Sequence, residues 1–217
     1  MYPELCFQNF IAGVRKRLYV LDTELPSTTL LLNGDYEYLG EGYYACAEAE
    51  GEGILPTCAD TLDAYIVPIA LERARISGLA VPEWHLTNGS FEAPAILYGV
   101  NPFARSHEVV REGGDKEAAA RKISRQGKFV ICCQSLPHGA EIVEFEMILG
   151  HSIDSRFSTW ARDIYDIFHL PLARVRLIEA NGQFYLSAIE RLPYGDMSNE
   201  GRVLLESRLK ERGERNG

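Results

Sequence analysis

Apolar residues recur along this chain in two periods, and each period marks a different kind of element. Phe7, Phe10, Ile11 and Val14 form one stripe at helical spacing, which predicts a helix over residues 3–16 with Pro3 in its first turn. "RLYVLD" and "TTLLLN" predict two strands separated by a Pro-containing loop. Thr57 caps a helix, with Asp60 three residues on; it continues past Tyr65 and Ile66, is kinked or restarted by Pro68, and ends at Gly78. "LAVPEW" is a short extended piece, "PAILYGV" and "HEVVR" are strands, and "GGD" turns the chain into the helix "KEAAARKIS". "KFVICCQ" is an apolar strand and "EIVEFEMIL" a long alternating one, with Ile142, Val143, Phe145 and Met147–Leu149 as its apolar positions. "STWARDIYDIF" is an amphipathic helix that places Trp160, Ile164, Ile167 and Phe168 on one side. "ARVRLIEANGQFYLSAIERL" is a hairpin, because Asn-Gly between alternating runs is the strongest short-range hairpin signal. The last helix, "SNEGRVLLESRLKER", carries Val203, Leu204, Leu205 and Leu209 as its apolar stripe, to be buried on its own core or on a second copy.

This order predicts an α/β fold. Its mixed sheet has an N-terminal α/β half, residues 1–78, and an antiparallel C-terminal half flanked by helices, residues 79–217; the alternative is one continuous domain. A length of 217 residues suffices for a core without disulfides. The formal net charge is −9, and no Lys/Arg cluster stands clear of balancing acids, so nucleic acid and anionic membranes are not expected partners. "MYPELCFQNF" is not a signal peptide, and no apolar run approaches the roughly 18 residues of a membrane span. The five cysteines, Cys6, Cys46, Cys58, Cys132 and Cys133, follow neither zinc nor disulfide spacing, and read as reduced thiols of a cytoplasmic protein. Adjacent Cys132 and Cys133 point to opposite faces of a strand.

Familiar catalytic signatures are missing. There is no Gly-rich loop ending in Gly-Lys-Ser/Thr and no Gly-x-Ser-x-Gly elbow. The histidines, His85, His107, His138, His151 and His169, share no metal-ligand spacing. The unusual stretch is "LLLNGDYEYLGEGYYACAEAEGEGILPT", in which Tyr36, Tyr38, Tyr43 and Tyr44 are interleaved with Asp35, Glu37 and Glu41. Packing at a strand-to-helix corner accounts for the rings in one reading. In the other, a strand end feeding a helix start is where α/β proteins bind ligands, and the acids there favour an amine over a bare phosphate.

The motifs of this stretch, Tyr36 and Tyr38, Gly42–Tyr44, Ala47–Ala49 and Leu55–Thr57, resemble the N-terminal domain of RimK-like ATP-grasp ligases. So do Phe145, Glu146, Gly150, Arg156, Phe157, Tyr165, Phe168, Pro171, Leu172 and Arg174. The resemblance covers residues 18–57 and 140–210. Asn33–Asp35 replace that family's Cys-Arg-Ser-like segment. A fainter resemblance to the ATP-grasp domain itself runs through "ISGLAVPEWHL", "PAILYGV", "VICCQSLPHGAEI" and "FYLSAIERLPYG". There Tyr98 stands in place of the phosphate-binding lysine, Gln134 in place of an acid, and Ala188 and Glu190 in place of the metal-binding Glu and Asn.

The resemblance implies an accessory or substrate-recognition protein that is not itself catalytic. It would use no cofactor and bind an amino acid, a peptide or a partner ATP-grasp ligase. The alternative it implies is an ATP-dependent carboxylate–amine ligase using ATP and magnesium. A third reading is an unrelated enzyme built around Asp35, His151 and Arg156. The expected site lies between the Asp35–Tyr44 corner and the loop "GHSIDSR". Arg156 and Arg174 would hold a carboxylate, Tyr36, Tyr38 and Tyr43 supply aromatic walls, Asp35 takes an amine, and His151 lies alongside. The plainer alternative pairs both arginines with Glu146 or Asp154 at the surface.

Overall fold

A computed structural model describes residues 7–8, 18–21, 29–33, 54–56, 58–100, 106–192 and 194–215. Among them are the strands β1 (Phe7–Gln8), β2 (Leu18–Leu21), β3 (Thr29–Asn33), β4 (Ile54–Leu55), β5 (Trp84–Thr87), β6 (Ala95–Gly99), β7 (His107–Val110), β8 (Ile131–Ser135), β9 (Glu141–Ile148), β10 (Leu172–Ala180) and β11 (Gln183–Arg191). The helices are α1 (Cys58–Tyr65), α2 (Val67–Ile76), α3 (Lys116–Ile123), α4 (Ser158–Phe168) and α5 (Asn199–Arg215). The sheets run β1-β2-β3-β4, β5-β8-β6-β7 and β11-β10-β9. Only the β3–β4 pairing is parallel among those with a defined register, so the α/β class with a mixed sheet and an antiparallel second half holds.

The chain divides into two compact units. One takes residues 1–61, 145–174 and 191–217, the other 62–144 and 175–190, so the cuts fall inside α1, β9, β10 and β11.

In the second unit the sheet β5-β8-β6-β7 is buried on both faces, which explains why β6 and β8 read as unbroken apolar runs. Ile96, Tyr98 and Cys132 point into one core with Val67 and Leu71 of α2 and with Ile178, Ala180 and Ala188 of the β10–β11 hairpin. Ala95, Leu97, Ile131 and Cys133 point into the other, covered by Ala120 and Ile123 of α3. The two cysteines thus face opposite sides, as their adjacency predicts. Burial pushes the Cys132 thiol up to about 12, helped by Cys133, and Cys133 up to about 11. Both are therefore unreactive thiols at neutral pH. The hairpin turn is Asn181–Gly182, with φ of 52° and 72°, the left-handed pair that a two-residue turn demands. Asp115 caps α3 by accepting from the Ala118 N–H at 2.9 Å, worth about 1 kcal/mol.

In the first unit, Ile148, Leu149, Leu172, Leu192, Met197 and Leu205 form one cluster, and the rings of Phe145 and Phe157 stack at 4.7 Å. α4 ends on His169 in the left-handed region (φ 51°), whose N–H bonds the Tyr165 carbonyl at 2.8 Å.

Two sequence expectations fail here. Phe7 and Gln8 are not helical: they pair antiparallel with Tyr19 and Leu18, where a neighbouring strand supplies their backbone partners; the rest of the helix expected over residues 3–16 lies outside the described residues. On α5, Val203 is 67% exposed and so leaves the expected stripe, while Leu205 is buried and Leu204 half-buried as expected; the Leu209 side chain lies outside the described residues.

Candidate functional site

Arg176 sits in the middle of β10 between Val175 and Leu177, and only 4% of its side chain is exposed. A guanidinium cannot shed its proton, so its burial requires partners. Its Nε and Nη2 donate to Glu144 Oε1 at 2.8 and 2.5 Å, and its Nη1 donates to Glu190 Oε1 at 2.6 Å. Nη1 also reaches the Tyr98 hydroxyl at 3.4 Å, and the guanidinium lies 5.8 Å from the centre of that ring. Burial works against the charge of Arg176, but Tyr98, Glu190 and Glu144 outweigh it, and the net shift of its pKa is upward.

A hydrogen-bonded chain leads inward from there. The Tyr98 hydroxyl donates to Ser187 Oγ at 2.7 Å, Ser187 Oγ donates to Gln134 Oε1 at 2.7 Å, and Gln134 Nε2 returns to the Ser187 carbonyl at 2.7 Å. The donors follow from Gln134: its carbonyl oxygen only accepts, so the serine must give it a proton and take one from the tyrosine. Gln134 and Ser187 are fully buried and leave no polar atom unmatched. Burial pushes the Tyr98 phenol up to about 12, despite the nearby Arg176. His107 stacks on the Tyr98 ring at 5.8 Å, and burial together with Arg176 lowers its pKa, which keeps it neutral.

The sequence-predicted site residues fare unevenly. Asp35, Tyr36, Tyr38 and Tyr43 lie outside the described residues. His151 is exposed; its backbone closes a tight reversal with Ile148, through bonds of 2.8 and 2.9 Å. Gly150 beside it has φ +80°, a conformation strained for any other residue, and an added Cβ would press on the Tyr165 ring at 3.2 Å. Arg156 binds Asp154 Oδ2 through Nε and Nη2 at 2.9 and 2.7 Å, and lies 5.0 Å over the Phe157 ring. The arginine's side-chain and backbone bonds hold the Asp154 carboxyl below the usual range. Arg174 is half-buried and donates to the Asp196 carbonyl at 3.3 Å. His151, Asp154 and Arg156 thus share one loop, and Arg174 is bonded to another segment. Glu146, one acid suggested for the arginines, instead accepts from the Ser198 N–H and hydroxyl at 2.9 and 2.7 Å.

Sequence reasoning singled out Tyr98, Gln134 and Glu190 but passed over Arg176, Glu144 and Ser187. Arg174 and Arg176 share a strand face by alternation, and the sequence offered no way to choose between them. The available signal was the surroundings of Arg176: an arginine inside a run otherwise buried on both sides, in a chain with acids to spare.

No protein-family model and no curated protein matches the chain. Its structural likenesses are clear. A structure of the ATP-grasp ligase PsnB, complexed with a phosphomimetic variant of its minimal precursor, magnesium and ADP, matches 80% of this chain and 67% of its own, at 16% identity and a TM-score of 0.55. The fold is ATP-grasp. The same ATP-grasp architecture relates the chain to D-alanine–D-alanine ligase from Helicobacter pylori (14% identity, TM-score 0.57, covering 77% of this chain and 65% of that one). A RimK domain protein from Sphaerobacter thermophilus DSM 20745 also matches (13% identity, TM-score 0.53, covering 82% and 76%). The chain therefore spans about two thirds of the first two ligases. Of the two resemblances in the sequence, it is the ATP-grasp one, the fainter, that these structures support.

The neighbours also correct one expectation. A chain of this fold was expected to work with no cofactor, and PsnB was solved with magnesium and ADP. At the places given above for the metal ligands, Ala188 is buried and has no ligating atom, and Glu190 is bound to Arg176. Tyr98, which the resemblance sets at the lysine's place, is a neutral phenol bonded to Ser187. Among the described residues no group of three or more His, Cys, Asp or Glu side chains gathers to hold a metal. These positions do not fit a protein-bound magnesium.

Proposed function

We propose that this chain is a ligase-related ATP-grasp protein that binds an adenine nucleotide and recognises an amino acid, a peptide or a partner ligase, without itself joining a carboxylate to an amine. The observation that carries this reading is the closed network of Arg176, Glu144, Glu190, Tyr98, Ser187 and Gln134. Acyl-phosphate chemistry needs positive charge positioned against the developing phosphate charge. Here the one buried cation of the network is already engaged by two carboxylates, and Tyr98, the residue that the resemblance sets at the lysine's place, is a neutral phenol. Nucleotide binding is supported by the fold's likeness to ligases solved with ADP, and peptide recognition by the precursor peptide bound to PsnB.

The test has two arms. Thermal unfolding is followed with ADP, ATP and their magnesium complexes; a nucleotide at 100 times its Kd stabilises by about 2.7 kcal/mol. ADP and phosphate release is then measured against a panel of amino acids and short peptides. Stabilisation without turnover is the expected result. Absence of any nucleotide effect overturns the binding half of the reading. Release of ADP that depends on an amino acid or peptide overturns the other half, and favours the second reading, a working ATP-dependent ligase, for which the magnesium- and ADP-bound PsnB structure is the specific support.

A further inference from the structure

We propose that Arg176 is a resident cation, filling the space between Glu144 and Glu190 that a divalent metal would otherwise take. Both carboxylates contact one planar group, at 2.5 and 2.6 Å, so both lie within the reach of a single central charge. Two carboxylates this close repel one another unless a cation lies between them. Arginine suits that place better than lysine: its charge is permanent, and its fork donates along fixed directions to two acceptors at once. The guanidinium is nearly inaccessible, whereas Glu144 is 41% exposed and Glu190 21%, so the acids are open to ions from solvent while their internal partner is not. The network also confines the cation. Nη1 is shared between Glu190 and Tyr98, and Tyr98 is held by Ser187, so displacing Arg176 would disturb four side chains. The disagreement between the magnesium of this fold's neighbours and the residues present thereby acquires a physical content: the positive charge has become covalent.

The inference concerns the apo protein and does not depend on whether a nucleotide binds. Mn²⁺ is the probe, followed by its EPR signal and by calorimetry, with no nucleotide present. The wild-type chain should show no Mn²⁺ site that is weakened by Glu190→Gln. Arg176→Ala should gain one site at least tenfold tighter than any in the wild type, and the double variant Arg176→Ala, Glu190→Gln should lose it. Should Arg176→Ala fail to fold, Arg176→Gln keeps much of the packing without the charge and should gain the same Glu190-dependent site. Arg176→Lys should gain none. A folded Arg176→Ala or Arg176→Gln that binds no Mn²⁺ overturns the proposal, as does a wild-type protein that binds it through Glu190.

Discussion

Gly201 is the third residue of α5, and its place is set by an acid from a distant strand. Ser198 precedes the helix and accepts from the Gly201 N–H at 2.9 Å, the usual N-cap bond, while Glu146 accepts from the Ser198 N–H and hydroxyl. A Cβ on residue 201 would lie 2.4 Å from Glu146 Oε2, 3.0 Å from Ser198 Oγ and 3.2 Å from Ile148 Cδ1. Substituting Gly201→Ala therefore sets two effects against each other. Replacing glycine in a helix gains up to about 1 kcal/mol. Driving the carboxylate away loses two charge-assisted hydrogen bonds, each about 1.5 kcal/mol at a half-exposed group. The loss wins by about 2 kcal/mol, which lowers Tm by roughly 4–8 °C for a chain of this size. The assay is a thermal-denaturation cycle with Glu146→Ala. With the carboxylate gone, Gly201→Ala should become neutral or stabilising, giving a coupling of about 3 kcal/mol. A Gly201→Ala protein more stable than wild type, or a double variant whose losses simply add, would refute the reasoning.

Tyr98→Phe should lower stability by about 1–2 kcal/mol, because the buried Ser187 loses its donor. Since burial raises the folded phenol from 10 to about 12, its contribution is complete below pH 10 and lost as pH climbs toward 12. Urea titrations at several alkaline pH values should show this decline in the wild type and a smaller one in Tyr98→Phe. Arg156→Ala should leave Tm nearly unchanged, since the Arg156–Asp154 pair is exposed, and should return the Asp154 pKa toward the ordinary carboxylate range by NMR. If Arg156 also holds a ligand carboxylate, calorimetry with that amino acid or peptide should show binding abolished in the same variant.

Local chemistry was readable wherever one residue type forces one backbone. Asn181–Gly182 announced the hairpin, Pro68 the restart between α1 and α2, and Asp115 the start of α3. The helical spacing of Phe7, Phe10, Ile11 and Val14 was a true pattern, yet Phe7 and Gln8 pair with β2, because a ladder partner outweighs local periodicity. On α5, the three leucines and one valine left the inner face ambiguous by one position, and only packing decided for Leu205. The polar network was partly legible. Tyr98, Gln134 and Glu190 stood out as replacements in a resembled motif, but Arg176 did not, since nothing in a strand's alternation says which of two same-face arginines is buried. Glu144 has the look of a surface acid until its partner is known.

The network also has a kinetic side. It joins residues far apart in the chain: Tyr98 and Ser187 are 89 apart, Arg176 and Tyr98 78, and Gln134 and Ser187 53. During synthesis β6 and β8 are complete at Ser135, but Ser187 and Glu190 come some 55 residues later, which at 5–20 residues per second is a wait of about 3–11 s. Until then one side of that sheet has the Tyr98 hydroxyl and the Gln134 amide waiting beside Ile96 and Cys132, with neither their polar partners nor the hairpin's apolar cover. High sequence separation slows folding because the loop must close before the contacts reward it. A nascent chain stalled before Leu172 would accordingly offer this half-covered sheet to chaperones, whereas one released after Arg191 could close it.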